Sequence, residues 1–514
     1  MLLIHLMLGC ASPVAPTTVE TAPTREFSPQ DGEFLLLHTN DLHGHFLPST
    51  AKWLEGKPEI GGFEAIDAWV NHAEEQWGDD RVLLLDGGDL LTGTPLTDLE
   101  VRGVVGGAML EFLEAVGYDA WVLGNHEFDK GFENAERLVQ ESRVAVLSSN
   151  LLGLDEGRLA LPGQKASMVV QMGELRVGLI GATTSGLTHL ASAETMANID
   201  LRKPVDMIQR EINALDSQTD LLVVVSHVGL DADRRLAEKL TGLDLIVGGH
   251  SHTPMQRPEQ VNGVWIVQAG SYGRSIGQAR ARVVDDALVD FEWKLHDLTE
   301  EATVGRVSPE VEALVETYRS RLEAEFGQVI GEAEDSLGRS YSGESTLGNW
   351  ITDTLRRQTG ADIGLYNAGG IRADLASGPI TKGDLFQIFP FSNAVVTFEI
   401  SGSELVGILL RNVHAAVDGN HGSMQLSGAQ MTWRMRMGVP EAIAIRVGDA
   451  PLDPDAAYTV ATNTYVIDQA EKYLPGASPQ NVVEQGETVF DAALRRVKEG
   501  PVVAPVEPRL IRVD

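Results

Sequence analysis

Polar side chains of metal-binding type follow five short apolar runs in the first half of the chain. The five polar ends are Asp41-Leu42-His43, Gly88-Asp89, Gly124-Asn125-His126, Ser226-His227 and Gly249-His250-Ser251-His252. Carboxylates, an amide and imidazoles without cysteine form a donor set that suits divalent manganese, iron or zinc. A pair of such ions can hold a hydroxide nucleophile and neutralise the charge that develops on a transferring phosphoryl group. The residues therefore predict a site for a pair of divalent ions.

These polar ends need a scaffold that brings them to one place. The apolar runs 34–37, 82–85, 120–123, 221–225 and 245–247 are predicted as buried strands, separated by helical patterns at 62–77, 103–116, 132–142 and 204–216. The alternation favours α/β layers, in which ligands bind beyond the carboxyl ends of the strands. Later strands at 265–269, 278–284 and 288–294 are predicted as antiparallel additions.

Length and charge limit the classes of function. A chain of 514 residues with 43% hydrophobic residues is expected to fold into two or more domains. Lys and Arg number 40 against 74 Asp and Glu, which gives a net charge of −34. This balance argues against nucleic-acid binding through a basic surface and indicates solubility rather than a reaction type.

The N-terminus resembles the end of a bacterial lipoprotein signal. Leu6-Met7-Leu8-Gly9-Cys10 contains the only cysteine of the chain, and a Pro/Thr-rich stretch follows it. No intramolecular disulfide can form. We expect an exported, periplasmic or cell-envelope lipoprotein whose only membrane attachment is at Cys10; the alternative is a hydrophobic start on a cytoplasmic enzyme.

The five polar ends, in this order, resemble the calcineurin-like metallophosphoesterase superfamily. Residues 37–45 and the hexapeptide Gly124-Asn125-His126-Glu127-Phe128-Asp129 are similar to its bacterial 5'-nucleotidase and UDP-sugar hydrolase family. The resemblance implies an α/β fold with an N-terminal four-layer α/β/β/α sandwich and a C-terminal α+β substrate-binding domain. We expect a signal and tether at 1–30, the metallophosphoesterase domain at 31–305, a linker helix at 306–330 and the substrate-binding domain at 331–514.

The resemblance also assigns roles to residues. One metal is expected on Asp41, His43, Asp89 and His252, and the other on Asp89, Asn125, His227 and His250, so that Asp89 bridges them. Some relatives carry Gln or Asn at the position of His252. The ions are expected to be manganese, zinc, iron or cobalt. His126 and Asp129 resemble the catalytic dyad of the family, in which the imidazole assists the phosphoryl oxygens.

Three stretches of the second domain resemble the substrate-binding part of the family. The substrate-binding residues expected from them are Asn367, Gly369, Gly370, Arg372, Phe391 and Tyr473. Arg372 would grip a phosphate, and the two aromatic residues would stack on a base. The chain departs from relatives where Tyr341 replaces an arginine and where Gln469-Ala470-Glu471-Lys472 replaces Gly-Gly-Asp-Gly. Substrate choice is therefore the least determined property.

The predicted function is hydrolysis of nucleotide phosphate esters to nucleoside and phosphate, by in-line attack of a metal-bound hydroxide on a small nucleotide substrate. The alternatives keep the metals and change the ester: a UDP-sugar, a 2',3'-cyclic nucleotide or a sulfur ester. A binding lipoprotein built on an inactive phosphoesterase is the non-enzymatic alternative, and the complete ligand set argues against it.

Overall fold

A computed structural model describes residues 32–513 except 52, 155–156, 300–305, 419–422 and 506–507. Cys10 and the predicted tether lie outside these residues. The first half of the chain forms two stacked six-stranded sheets with helices on both outer faces. The four-layer α/β/β/α arrangement expected from the family resemblance is confirmed.

The first sheet carries the strands that lead to three of the polar ends. Its strands, in spatial order, are Ala287–Asp297, Ser275–Val284, Glu33–Thr39, Val82–Asp86, Ala120–Val122 and Ala145–Leu147. The last four are parallel, and the first two are antiparallel additions, as predicted. Leu35 and Leu37 pack towards the outer helices, whereas Phe34 and Leu36 pack between the sheets. Burial on both faces explains why this strand reads as a continuous apolar run.

The second sheet leads to the other two polar ends. Its strands, in spatial order, are Ser167–Met172, Leu175–Thr183, Leu221–His227, Leu245–Gly248, Val264–Gln268 and Glu259–Val261. The prediction that the strand near 265–269 is antiparallel is wrong, because Val264–Gln268 runs parallel to Leu245–Gly248. The chain first returns through Glu259–Val261, which pairs antiparallel with Val264–Gln268 in a hairpin. That extra reversal restores the parallel direction.

Helices cover the outer faces of both sheets. Those on the first sheet are Phe63–Trp77, Gly107–Val116, Phe132–Glu141 and Pro309–Phe326, and those on the second are Pro204–Leu215 and Leu230–Lys239. Shorter elements of this half are Ser49–Thr50, Glu59–Ile60, Glu100–Val101, Val104–Val105, Leu151–Gly153, Ile199–Leu201, Leu187–Leu190 and Ala193–Met196. Within the described residues, no helix is long and apolar enough to cross a membrane.

The helix Pro309–Phe326 lies where a linker was predicted. Its residues Val311 and Val315 are buried in the core beneath the first sheet. At its far end Phe326 packs edge-on against Phe386 of the second domain, with ring centroids 5.8 Å apart. The helix body therefore packs against the first domain while its end contacts the second.

The second domain is a mixed α+β unit, as expected. Its main sheet has the order Met424–Ser427, Ile363–Asn367, Ala457–Asn463, Ala394–Ser401 and Gln480–Thr488, and a smaller one contains Ala450–Pro451, Val439–Val447, Ala429–Arg436 and Leu510–Arg512. A separate pair is Val329–Ala333 with Gly378–Thr381. The helices are Thr346–Thr359, Lys382–Ile388, Gly402–Val417, Thr464–Asp468, Ala470–Tyr473 and Val489–Lys498.

Candidate metal centre and substrate cavity

The first group of predicted ligands comes together at the carboxyl edge of the sheets. Asp41, His43 and His252 each offer a ligand atom within 4.8 Å of the others. The Nε2 atoms of His43 and His252 are 3.1 Å apart. The Asp41 Oδ1 atom lies 3.2 Å from His252 Nε2. The three side chains therefore converge on one point, as a metal site requires.

A second group lies beside the first and contains Asp89, His227 and His250. The Oδ2 atom of Asp89 is 3.1 Å from His227 Nε2 and 3.9 Å from His43 Nε2. Its carboxylate thus faces both groups. Among the described residues, the buried Oδ1 atom of Asn125 has no hydrogen-bond partner. A buried amide oxygen without a partner is costly unless a cation or water takes that place.

Backbone hydrogen bonds to two of the imidazoles turn their Nε2 atoms towards the centre. The Nδ1 atom of His43 lies 2.7 Å from the Thr92 carbonyl oxygen, and that of His227 lies 2.6 Å from the Gly87 carbonyl oxygen. Because a carbonyl only accepts, Nδ1 is the donor in both contacts, and Nε2 is left facing the centre. This outer contact is the one that metal-binding histidines normally make.

The backbone of the centre is held in a conformation that ordinary residues rarely adopt. Five ligand candidates have a positive φ: Asp41 (53°), His43 (48°), Asp89 (57°), His250 (73°) and His252 (53°). A non-glycine residue in this region costs on the order of 1–3 kcal/mol, and such residues cluster at functional sites. The amide of Asp41 donates to the Gly88 carbonyl, and that of His43 to the Asp89 carbonyl, which fixes these turns.

Two glycines are required by close approach. A Cβ on Gly124 would lie 2.2 Å from the Asp89 Oδ1 atom, and one on Gly249 would lie 2.5 Å from the Gly87 carbonyl oxygen. Any side chain at Gly124 would therefore displace the carboxylate that both ligand groups share. This is why the motif breaks at glycine directly before Asn125.

The electrostatics of the centre suit divalent cations. Burial alone would raise the pKa of Asp89, but the neighbouring His227 and His126 hold it well below its usual range. Burial alone would also raise the pKa of Asp41, but the neighbouring His252 lowers it to about 2. Burial and the nearby His227 lower the pKa of His250 to about 4, which keeps that imidazole neutral. Two ionised carboxylates with imidazole and amide donors fit divalent transition ions.

The predicted dyad forms a short hydrogen bond. His126 Nδ1 is 2.6 Å from Asp129 Oδ2, and the Thr92 hydroxyl donates to the same oxygen at 2.6 Å. Burial lowers the pKa of His126, but the carboxylates of Asp129 and Asp89 outweigh burial and raise it overall. The His126 Nε2 atom lies 3.9 Å from Asp89 Oδ2. The imidazole is thus oriented and placed beside the shared carboxylate.

Glu127 has a positioning role that its place in the motif did not reveal. Its fully buried carboxylate accepts hydrogen bonds from the amides of Gly124 at 2.7 Å and Leu90 at 2.8 Å, and from Asp89 at 3.3 Å. Burial and the nearby Asp89 raise its pKa to about 7. Glu127 ties together the two loops that carry Asp89 and Asn125.

A cavity of about 750 Å³ joins this centre to the second domain. The predicted residues that line it are Asp89, Asn125, His126, Asp129, His250, His252, Asn367, Gly369, Arg372, Phe391 and Tyr473. The Arg372 guanidinium carbon lies 5.8 Å from the centroid of the Phe391 ring, which is 6.0 Å from the ring of His126. A guanidinium and an aromatic ring therefore adjoin the His126–Asp129 pair.

Gly370 is outside the lining, and a second aromatic residue was missed. A Cβ on Gly370 would lie 2.8 Å from the Tyr366 hydroxyl oxygen, so its role is packing. Tyr465 lines the cavity with its side chain half-buried, whereas Tyr473 is only 2% exposed. The two tyrosine rings are 6.0 Å apart. Tyr465 is not among the substrate-binding residues expected from the sequence, since the family resemblance points to Tyr473.

Both departures from the family pattern also border the cavity. Tyr341 lines it, and the guanidinium of Arg339 lies over its ring at 4.5 Å. Gln469 and Lys472 line it together with Asp468. We call Tyr465, Asp468, Gln469, Lys472 and Tyr473 the second-domain wall.

Comparison with known proteins matches both halves of this site. Residues 34–254 match the calcineurin-like phosphoesterase family, and residues 329–475 match the 5'-nucleotidase C-terminal domain. The first half of the chain therefore contains a domain of the calcineurin-like phosphoesterase family, and the second half contains a 5'-nucleotidase C-terminal domain. The chain is 26% identical over 489 residues to protein UshA of Salmonella pullorum, and the match covers 84% of each chain.

Solved structures agree with this assignment. The 5'-nucleotidase precursor of Thermus thermophilus superposes with a TM-score of 0.82 at 28% identity, covering 94% of this chain and 99% of that one. The sulfate thiohydrolase SoxB of Thermus thermophilus has a TM-score of 0.76 at 19% identity, covering 94% and 97%, and shows a shared fold. The protein is a metal-dependent phosphoester hydrolase that uses divalent ions.

Proposed function

We propose that the enzyme hydrolyses nucleotide phosphate monoesters to nucleoside and phosphate with two divalent ions. The observation that carries the proposal is the single cavity in which the ligand groups, the His126–Asp129 pair and Arg372 meet two aromatic side chains. Metal ligands without the second domain would suit any phosphoester. The added aromatic groups and arginine suit a substrate with a flat base and a phosphate.

The ions would be held by two ligand sets that share one carboxylate. Asp41, His43, Asp89 and His252 would hold one ion, and Asp89, Asn125, His227 and His250 the other. Manganese, zinc, iron and cobalt all accept such ligands. When bound, a pair of this kind supplies a Lewis acid for the phosphoryl oxygens and lowers the pKa of water.

The side chains of the dyad act on the phosphoryl group. The His126 imidazole, oriented by its 2.6 Å bond to Asp129, would donate a hydrogen bond to a phosphoryl oxygen or a proton to the leaving oxygen. Asp129 stabilises the imidazolium and is held in place by the Thr92 hydroxyl. Glu127 holds the loops that carry Asp89 and Asn125 together by accepting hydrogen bonds from the backbone amides of both.

The second domain positions the substrate. Arg372 presents a planar guanidinium that matches a phosphate bidentately. We propose that the base stacks on Phe391 and Tyr465, with Tyr473 packed behind Tyr465 as support. The Asn367 side chain accepts a 2.8 Å hydrogen bond from Asn463, which fixes its orientation at the edge of the cavity.

We further propose that the enzyme is exported and attached to a membrane through lipidated Cys10. The lone cysteine after an apolar start supports this proposal. Metabolic labelling with a fatty acid tests it: label should enter the wild-type protein and be absent from Cys10→Ala. Equal labelling of both would exclude the anchor.

Phosphate release after chelation and metal addition tests the function. We expect metal-dependent turnover of nucleoside monophosphates that exceeds turnover of UDP-glucose and 2',3'-cyclic nucleotides. Preference for either of those substrates would select that alternative, and activity on only a generic diester would leave the metal chemistry and reject the nucleotide. A thiosulfonate ester as the only substrate would favour the sulfur reaction.

A further inference from the structure

Lys472 is a cation on the second-domain wall with no role in the chemistry described above. Its side chain is exposed and lines the cavity, and its ammonium nitrogen lies 5.0 Å from the centroid of the Tyr473 ring. Among the described residues, no carboxylate lies within ion-pairing distance of it. Asp468 is exposed on the same wall but does not pair with it.

A second cation lies near this wall, although it is not among the residues that line the cavity. The guanidinium carbon of Arg411 is 5.5 Å from the centroid of the same Tyr473 ring. Burial and the nearby Arg411 lower the pKa of Lys472. The charged form of Lys472 is therefore stabilised when an anion binds beside it.

Lys130 is a second lysine of the same cavity, and it has a carboxylate partner. Its ammonium is 2.7 Å from the Asp98 carboxylate and donates to the Ser392 hydroxyl. Among the described residues Lys472 has no such partner, so its charge is available to a ligand that enters the cavity.

We propose that Lys472 binds a second phosphate group of the substrate, so that the enzyme prefers nucleotides whose ribose carries a phosphate besides the one it hydrolyses. This inference rests on the proposed nucleotide function. The metal ligands and the dyad come from the first domain, and Lys472 comes from the second, so the two phosphates would be recognised by different walls. The hydrolysis step is unchanged.

A phosphate fits this wall better than a carbonyl oxygen of the base. A phosphate monoester carries a charge of about −1.5 to −2 at neutral pH, which offsets the charge of the Lys472 ammonium, whereas a carbonyl oxygen offers only a partial charge. A lysine ammonium has three donors and no acceptor, which suits an oxyanion. The alternative, a contact from Lys472 to a carbonyl oxygen of the base, is tested by comparing GMP with AMP, whose bases differ in their carbonyl oxygens.

The test compares kcat/KM for adenosine 3',5'-bisphosphate and for AMP, with chromatography showing that the 5'-phosphate is the one removed. We expect the wild type to favour the bisphosphate by about tenfold or more, the effect of one charge-assisted contact. Lys472→Met should lower this preference about tenfold through KM and leave AMP within about twofold, and Lys472→Arg should restore it. Lys130→Met removes the same charge from the same cavity and should leave the preference unchanged.

An unchanged preference in Lys472→Met would overturn the proposal. Equal losses for both substrates would assign Lys472 to the shape of the wall, and a change confined to the ratio of GMP to AMP would assign it to the base; both results reject a phosphate site. If neither AMP nor the bisphosphate is hydrolysed with added metal, the proposed function fails separately. Calorimetric binding of the bisphosphate then decides: weaker binding by Lys472→Met supports the phosphate contact, and equal binding rejects it.

Discussion

The two ends of the cavity are built in opposite ways. At the metal end the ligand side chains of Asp41, His43 and His227 have no exposed surface, and five ligand candidates occupy the left-handed backbone region. On the second-domain wall Tyr465 is half-buried and Lys472 is exposed, and the described residues of that wall include none with a positive φ.

The difference separates chemistry from substrate choice. A strained backbone persists only where surrounding contacts hold it, so the metal end tolerates few substitutions. Exposed side chains on short helices can change without disturbing a core. The departures from the family pattern accordingly occur at cavity-lining residues that belong to neither candidate ligand group, namely Tyr341, Gln469 and Lys472. The comparison predicts large effects at one end and selective effects at the other.

The largest effect is expected for Asp89→Asn. The shared carboxylate lies within 3.1 Å of His227 and 3.9 Å of His43, and an amide would remove its charge from both ligand groups. We expect loss of at least about 10³-fold in kcat/KM, or about 4 kcal/mol of barrier, with reduced metal content by elemental analysis. Asp244→Asn is the matched control, since its carboxylate accepts from the Leu222 amide and belongs to neither ligand group. Full activity with two bound ions in Asp89→Asn would remove the bridge from the mechanism.

His126→Ala should reduce turnover without removing metal. Its imidazole is bonded to Asp129 and belongs to neither of the two proposed ligand sets, although it lies near His43 and Asp89, so we expect about a 10²- to 10³-fold fall in kcat. Elemental analysis should show unchanged metal content. A parallel loss of metal would make His126 a ligand, and unchanged kcat would exclude it from the reaction.

Substitutions of Tyr465 and Tyr473 should differ in their effect on KM, because the two side chains differ in exposure. Loss of the half-buried Tyr465 in Tyr465→Ala should raise KM for nucleoside monophosphates about tenfold, the value of one stacking contact. Turnover of p-nitrophenyl phosphate, which lacks a base, should change little. Tyr473→Phe, which keeps the buried ring, is the control and should leave KM unchanged. A larger KM change in Tyr473→Phe than in Tyr465→Ala would assign base recognition to Tyr473.

The smallest effect concerns a half-buried carboxylate that forms no ion pair among the described residues. Burial raises the pKa of Asp119 to about 6, although its side chain accepts from the Leu84 amide. Because the folded pKa exceeds the unfolded one, its contribution to stability is present at low pH and is lost as pH rises through 6. Allowing for partial exposure, Asp119→Asn should stabilise the protein by about 1 kcal/mol at pH 8, about 2 °C in Tm, and by little at pH 4. A larger gain at pH 4 would contradict the assignment.

The second sheet contains a strand whose position the sequence pattern predicts and whose direction it does not. The run 245–247 and its polar end predicted a buried strand that delivers His250 and His252, and Leu245–Gly248 does so. The predicted antiparallel direction of the next strand, Val264–Gln268, was wrong because the apolar pattern of a strand is the same for parallel and antiparallel pairing. The intervening hairpin strand Glu259–Val261, only three residues long, decided the direction.

The sequence by itself determined the fold class, the kinds of ligand and the dyad, because each depends on local facts: apolar runs, residue types and their spacing. Only the tertiary structure decided that Tyr465 is more exposed to the cavity than Tyr473, that Glu127 joins two loops, and that Gly370 packs on Tyr366. It also decided that Lys130 has a carboxylate partner and that, among the described residues, Lys472 has none. These relations depend on distances across the fold, which spacing along a sequence does not give.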